Sequence, residues 1–151
     1  MVEKQYEYVI DPDANCIFIR HHGPITRDSV VARGEGVAVD SGYRENLNRL
    51  IDVRGCDIKL SPDDMSFIAS MMRNSQTKSG SYTEILLVDS LLAHGVVRMM
   101  MSFVGQKNIS YMILHATDPE VEEKMYASLG LPKDYPLPDF IQLSNPALSQ
   151  K

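Results

Sequence analysis

The chain has 151 residues, of which 44% are hydrophobic and 23% charged, proportions that are typical of one globular domain and exclude disordered and fibrous classes. Its 15 Lys and Arg against 20 Asp and Glu give a net charge of −5 without a basic cluster, so we expect neither nucleic acid nor an anionic membrane as partner. No apolar stretch approaches the length of a membrane span and the N-terminal segment has no signal-peptide core. The sequence therefore predicts a cytoplasmic protein without membrane insertion.

The N-terminal third predicts a β-hairpin followed by a helix. Apolar and polar residues alternate over residues 6–10, the turn-forming segment DPDAN follows, and CIFIR resumes a strand. Thr26 is the expected N-cap of a helix that runs to about Val39. Gly34 and Gly36 weaken this helix by roughly 1 kcal/mol each relative to alanine, or else allow it to pack closely on the sheet. Its predicted apolar side consists of Val30, Val31, Val37 and Ala38.

The middle of the chain predicts a third strand at residues 48–53 and a second helix. Ser61 is the expected N-cap of that helix, Pro62 lies in its first turn, and Asp64 completes a capping box. Helical spacing of apolar residues then continues at Met65, Ile68, Ala69 and Met72. A polar loop is expected at residues 74–81.

The central strand and helix form the most apolar part of the sequence. Residues 85–88 are a continuous apolar run, as expected of a strand covered on both faces, and Asp89 and Ser90 can cap the helix that follows. That helix is expected over residues 91–104. Apolar residues with helical spacing lie at Leu92, Val96, Met99, Met100 and Phe103.

The C-terminal third predicts a fifth strand at residues 110–116 and a last helix. Thr117 to Glu120 repeat the capping-box pattern, and Gly130 with Pro132 ends the helix. Its predicted buried residues are Val121, Met125 and Leu129. Residues 133–151 contain three prolines and are expected to form an extended tail. Three apolar residues of the tail could dock on the domain, namely Phe140, Ile141 and Leu143.

The element order β-β-α-β-α-β-α-β-α predicts an α/β fold. We expect one domain over residues 1–132, with a mostly parallel five-stranded sheet, an N-terminal antiparallel hairpin and about four helices.

Three short motifs within this order resemble the STAS fold, in particular its small, stand-alone SpoIIAA-like members. They are Gly23 after the hairpin, the sequence Asp-Val-Arg-Gly at 52–55, and Gly-Val-Val-Arg-Met at 95–99. The resemblance covers about residues 5–131 and implies a SpoIIAA-like sandwich that binds and regulates other proteins. More distant relatives of this group resemble the Sec14 fold, which encloses lipids.

Ser61 has two possible roles. Anti-sigma factor antagonists of the STAS group carry Asp-Ser-Ser-Gly after the third strand, and a partner kinase phosphorylates the serine. This chain has Leu-Ser-Pro-Asp-Asp at residues 60–64, so Ser61 is the only hydroxyl there and the glycine is missing. A phosphate at a helix N-terminus would be favoured by the free amides, but Asp63 and Asp64 would repel it. A simple N-cap is the preferred interpretation.

Histidines and cysteines are the candidate metal ligands of this sequence. His22, His94 and His115 are expected at or just after strand ends on one edge of the sheet, where three imidazoles could bind zinc. However, the chain has no His-x-x-x-His spacing, and the neighbouring His21 and His22 should point to opposite faces. Its two cysteines are too few for a cysteine-type zinc site and are expected to be reduced. We predict no metal and no other cofactor.

The helix after the central strand carries a polar stripe at Ser90, His94, Arg98 and Ser102. Arg98, together with Met99 and the first residues of the stripe, could contact an anion, a ligand or a partner, or the stripe could simply face solvent. Ser90 and His94 also suggest a nucleophile and a base, but no third group or glycine elbow accompanies them, so no catalytic residue is predicted.

The sequence therefore predicts a non-enzymatic module that regulates or binds other proteins. The alternative is a small carrier of an apolar or lipid-like ligand, held in a methionine-lined gap between helices and sheet. A homodimer is also expected, because the helix over residues 91–104 is apolar around most of its circumference.

Overall fold

The computed structural model describes residues 5–105 and 108–143, without the side chains of residues 75–78. Its five strands are β1 (Tyr6–Asp11), β2 (Cys16–His21), β3 (Asn48–Asp52), β4 (Tyr82–Val88) and β5 (Ile109–His115). They form one sheet in the order β1-β2-β3-β4-β5, in which β1 and β2 are antiparallel and the other neighbours are parallel.

Four helices accompany the sheet within the described residues: α1 (Arg27–Ala38), α2 (Pro62–Ser79), α3 (Leu91–Val104) and α4 (Val121–Leu129). The strands from β2 to β5 are parallel, and each lies beside the next one in the chain. The connections between such strands are right-handed, so α1, α2 and α3 all lie on the same face of the sheet. Side chains of α4 and of the segment after it pack on the opposite face. The predicted α/β class, with its antiparallel hairpin, five strands and four helices, is confirmed.

The sheet separates two apolar cores, because successive side chains of a strand point to opposite faces. In β2, Ile17 and Ile19 face the layer of three helices, whereas Cys16 and Phe18 face α4. The second core extends into the C-terminal segment, where Ile141 is completely buried and Phe140 and Leu143 pack against it. Residues 144–151 of the predicted tail lie outside the described residues.

Most predicted helix starts are confirmed, and two local predictions are wrong. Thr26 caps α1 and Ser90 caps α3, each through its side-chain oxygen. The predicted polar loop at 74–81 is wrong, because α2 continues to Ser79 and Gly80 adopts a positive φ of 72° after it. The capping box at 117–120 is also wrong. The carboxylate of Asp118, rather than a threonine hydroxyl, accepts the amide of Glu120, and no side chain caps α4.

Helix α3 buries a different side from the one that the apolar spacing indicated. Its buried residues are Ala93, Val97, Met101 and Val104. The side chains of Leu92, Met99 and Phe103, which we expected at the core, are 78%, 49% and 42% exposed. The spacing could not distinguish the two sides, because apolar residues surround this helix.

Helix α1 also buries less than expected. Val30 and Val37 are buried, as predicted, together with Ser29, but Val31 is half-buried and Ala38 is exposed.

No helix in the described parts of the chain has both the length and the apolar character that crossing a membrane requires.

Candidate functional site

The inner side of α1 leaves a gap above the sheet. A helix covers a core with residues at i, i+3, i+4 and i+7, and from Val30 these positions are Arg33, Gly34 and Val37. Two apolar side chains would normally pack on the sheet from the middle turn of the helix. Here Arg33 supplies a charged side chain at one of these positions, and Gly34 has no side chain at the other. A cleft of about 740 Å³ lies here between α1 and α2, and we call it the α1/α2 cleft.

Three strands place ionisable residues on the floor beneath the helices. His21 follows Ile17 and Ile19 on the same face of β2, Arg49 precedes Ile51 on β3, and Glu84 precedes Leu86 on β4. Arg49 and Glu84 are register partners on adjacent strands. Because side chains alternate between faces, all three residues point to the helical layer, where the other residues of these three strands are apolar, apart from Tyr82.

His21 is almost completely buried, with 1% exposure, and one of its ring nitrogens has no hydrogen-bond partner among the described residues. Nη1 of Arg33 lies 3.3 Å from Nε2 of His21. Since a guanidinium only donates, Nε2 accepts and the proton of the neutral ring is on Nδ1. Burial, with the nearby Arg33 charge, lowers the pKa of His21 to about 3, so the ring is neutral at physiological pH. The Nδ1–H group is therefore a buried donor without an acceptor.

Arg49 is held by aromatic residues rather than by a carboxylate. Its guanidinium lies over the ring of Tyr82, 4.2 Å from the centroid, and Nη2 donates to the hydroxyl of Tyr43 at 3.1 Å. That hydroxyl is in turn 2.8 Å from the hydroxyl of Ser79 at the end of α2. Nε of Arg49 is buried and has no acceptor in the part of the chain that the structure describes.

Glu84 is 2% exposed, and its side chain makes no hydrogen bond or ion pair to another described residue. Burial raises the pKa of its carboxyl group, whereas the charges of Arg49 and Arg33 act in the opposite direction. Glu84, His21 and Arg33 also line a cavity of about 40 Å³ whose other walls are apolar. This cavity adjoins the α1/α2 cleft, with which it shares Val30, Arg33, Ile68 and Met72.

These groups form a mainly apolar site with more positive than negative charge. Arg33 and Arg49 make no ion pair with any carboxylate in the described part of the chain. Each of them also acts electrostatically on Glu84 and Tyr82, so the four residues share one region. An arrangement of this kind can bind a small molecule that combines apolar surface with an acceptor group.

Ser61 lies away from this cleft, at the exposed start of α2. Its hydroxyl accepts the amide hydrogen of Asp64 at 3.1 Å, and the Asp64 carboxylate accepts the amide of Ser61 at 3.0 Å. These are the two hydrogen bonds of the predicted capping box. The alternative role of Ser61, as a phosphoacceptor, is not tested by this geometry.

The residues predicted on α3 are distributed over two sides of the helix. Arg98, Met99 and Ser102 are exposed, so this part of the stripe faces away from the core. Ser90 acts as the N-cap, and its hydroxyl accepts the amide of Ala93 at 3.0 Å.

The structure brings together two of the three histidines considered as metal ligands. Nδ1 of His94 is 2.8 Å from Nε2 of His115, and the two rings stack. His22 pairs with Glu7 instead. No group of three or more His, Cys, Asp or Glu side chains suited to a metal ion occurs among residues 5–105 and 108–143.

The motif at 52–55 forms a closed ionic network on the face of the sheet that α4 covers. The carboxylate of Asp52 is completely buried and accepts Nη1 of Arg20 at 2.6 Å and Nε and Nη2 of Arg54 at 2.9 and 2.7 Å. Asp89, expected as a helix cap, instead accepts the amide of Gly55 at 3.0 Å. Both arginines are thus paired with the buried Asp52 carboxylate, an arrangement typical of a structural role.

No motif in the sequence marks Arg33, Arg49 or Glu84 as a site residue, and His21 is a candidate there only as a metal ligand. The available signal was an ionisable residue at an inward position of each of three apolar strands.

Comparisons of this chain with protein-family models, with curated proteins and with solved structures found no match. The resemblance to SpoIIAA-like proteins therefore stays a prediction.

Proposed function

We propose that this protein is a cytoplasmic, non-enzymatic binding module that carries a small, largely apolar ligand in the α1/α2 cleft. The cleft itself is the observation that carries this proposal. Its volume of about 740 Å³ lies in the range of about 300–1,000 Å³ that is usual for small-molecule sites. Its apolar walls include Ile17, Ile19, Val37, Ile68, Met71 and Met72.

The composition of the cleft also supports a small molecule. Ligand pockets are mostly apolar with a few polar groups that fix orientation, and here Arg33, Arg49 and Tyr43 supply those groups. Met71 and Met72 are flexible side chains that can adapt to the shape of a bound molecule.

A titration with decanol tests this proposal, because decanol is apolar and uncharged. We expect saturable binding to the wild-type protein and weaker binding to Gly34→Leu, in which the leucine side chain extends into the cleft. Gly34→Ala is the matched control, since a methyl group at this position leaves most of the cleft open. Absence of saturable binding, or equal binding by both variants, would contradict the proposal.

A second candidate function is interaction with another copy of the chain, in a regulatory role, through α3. Leu91 and Leu92 are 84% and 78% exposed, and Met99 and Phe103 lie further along the same helix with about half of their side-chain surface exposed. Contiguous exposed apolar side chains of this kind are typical of protein–protein interfaces.

Sedimentation velocity over a range of protein concentrations tests the second candidate. We expect a dimer in the wild-type protein and a monomer in Leu92→Glu, because a charge at this position would be buried unpaired in the interface. Val9→Glu is the matched control, since Val9 is exposed on β1 at the far edge of the sheet. A wild-type protein that remains monomeric at the highest concentration would remove this candidate.

A further inference from the structure

The α1/α2 cleft contains more than an apolar surface, and its polar residues indicate the chemistry of the ligand. We infer that the ligand is a single-chain carboxylic acid whose carboxylate is bound between Arg33 and Arg49. This inference rests on the proposed function, because it assumes that the cleft holds an apolar molecule. It adds the chemical class of the polar end and the residues that bind it.

The first argument is charge. Three guanidinium groups line the cleft. That of Arg44 is exposed at the outer part, whereas Arg33 and Arg49 lie deeper, and Glu84 is the acidic residue beside these two on the floor of the sheet. Glu35 and Glu45 also line the cleft, but both are exposed to solvent at its outer part. The inner part therefore has a surplus of at least one positive charge. Charges that are taken out of water are costly unless they are paired, so a monoanionic ligand would complete this site.

The second argument is the set of donors without acceptors. Nε of Arg49 and Nδ1 of His21 are both buried and have no hydrogen-bond partner within residues 5–105 and 108–143. Arg33 contacts a neutral imidazole through Nη1 and makes no ion pair with a described carboxylate. A carboxylate has two oxygens that can accept several hydrogen bonds, and the planar fork of arginine matches it. The group that these donors lack is therefore an anionic acceptor.

The third argument is the position of the donors relative to the apolar walls. Arg33 belongs both to the α1/α2 cleft and to the adjoining cavity of about 40 Å³, which has room only for a few waters or a small polar group. The apolar body of a ligand can be accommodated only in the larger cleft, against Ile68 and Met71. The arrangement thus fits a molecule with one compact charged end and one apolar chain.

Comparing decanoate with decanol measures the contribution of the charged end, since both have the same chain length. Both are titrated into the wild-type protein at neutral pH, where decanoate is ionised. We expect decanoate to bind more tightly than decanol by about tenfold or more, as is usual for hydrogen bonds to a charged group. Decyl phosphate provides a third arm. It should bind less tightly than decanoate, because a dianion exceeds the surplus of positive charge.

Arginine variants test which residues are responsible. In Arg49→Gln we expect the preference for decanoate to disappear while decanol binding stays unchanged, and Arg33→Gln should behave in the same way. Lys133→Gln is the control for net charge, since Lys133 is exposed after α4 and belongs to the C-terminal segment that packs on the other face of the sheet. It should retain the preference. If one arginine variant does not fold, the other decides the question, and circular dichroism reports folding in each case.

The possible outcomes separate this inference from the proposed function. If decanol and decanoate bind equally to the wild-type protein, or if both arginine variants keep the preference, the inference fails and the apolar carrier remains. If decyl phosphate binds more tightly than decanoate, the assignment to a carboxylate is wrong. If none of the three ligands binds, both proposals fail.

Discussion

Substitutions of Gly34 can distinguish the stability of α1 from the access of a ligand to the α1/α2 cleft. It lies in the middle of the helix, and a Cβ atom built on it has no other atom within 4 Å. Alanine should therefore cause no clash. Glycine is about 0.8–1.0 kcal/mol less favourable than alanine in a helix interior. We expect the free energy of unfolding of Gly34→Ala to increase by about 1 kcal/mol, which corresponds to about 2–4 °C in Tm for a chain of this size.

Gly34→Leu should show nearly the same gain in stability, because leucine is also a good helix former. Its side chain would extend into the α1/α2 cleft, which Gly34 lines. Affinity for decanol should therefore fall by about tenfold or more relative to Gly34→Ala, since one leucine fills space that the ligand would otherwise occupy. Urea unfolding followed by circular dichroism gives the stability, and calorimetric titration gives the affinity.

Two results would refute this reasoning. If both substitutions lower the free energy of unfolding, α1 packs closely on the sheet in solution and the cleft is closed. If Gly34→Leu is stable and binds decanol as well as Gly34→Ala does, the ligand binds elsewhere. Gly36→Ala is an informative comparison, because its new methyl group would collide with the hydroxyl of Tyr6. Its gain in stability should be smaller than that of Gly34→Ala.

Three further substitutions test other parts of the structure. In Glu84→Gln the free energy of unfolding at neutral pH should rise by about 1 kcal/mol, because the raised pKa of the Glu84 carboxyl shows that the ionised form is unfavourable when buried. For the same reason, wild-type stability should fall as pH rises from 4.5, the ordinary pKa of this group, through the raised pKa, and the variant should show a weaker dependence. Asp52→Ala should cost about 3 kcal/mol, since it leaves two arginines without their buried partner. Ser61→Ala should cost about 1 kcal/mol through loss of the helix cap.

Urea unfolding at several pH values measures all three effects, and each has a result that contradicts it. A less stable Glu84→Gln would mean that attraction to the arginines outweighs the burial of the charge. An Asp52→Ala variant as stable as the wild type would show that the network at 52–55 is not structural. Ser61→Ala without a cost would place the start of α2 elsewhere.

The sheet and its helices could be predicted from the sequence because local signals agree with the tertiary structure. The alternation in β1, the continuous apolar run of β4 and the caps at Thr26, Ser61 and Ser90 each define one element. The end of α2 was missed because the residues after Met72 are polar. A polar continuation of a helix has the same composition as a loop, and Gly80 was the more reliable signal for its end.

The buried side of α3 could not be predicted because both of its sides are apolar. The spacing of Leu92 and Met99 is as helical as that of Val97 and Met101. Which pair is covered depends on the position of the neighbouring α2, β4 and β5. Amphipathic spacing identifies a helix, but it identifies a face only when the opposite side is polar.

The candidate site was missed for a different reason. His21, Arg33, Arg49 and Glu84 come from four elements, and no short motif links them. Their proximity depends on the strand register and on where α1 crosses the sheet. Gly34 was identified in the sequence as a weak point of the helix, whereas in the structure it contributes to the opening of the cleft.

Native mass spectrometry tests the central claim most directly. The purified wild-type protein is measured alone and with decanoate, before and after denaturation. The account predicts an added mass under native conditions that disappears on denaturation and is much reduced in Gly34→Leu. A wild-type protein that keeps its bare mass in the presence of excess decanoate would contradict the claim that the α1/α2 cleft binds such a ligand.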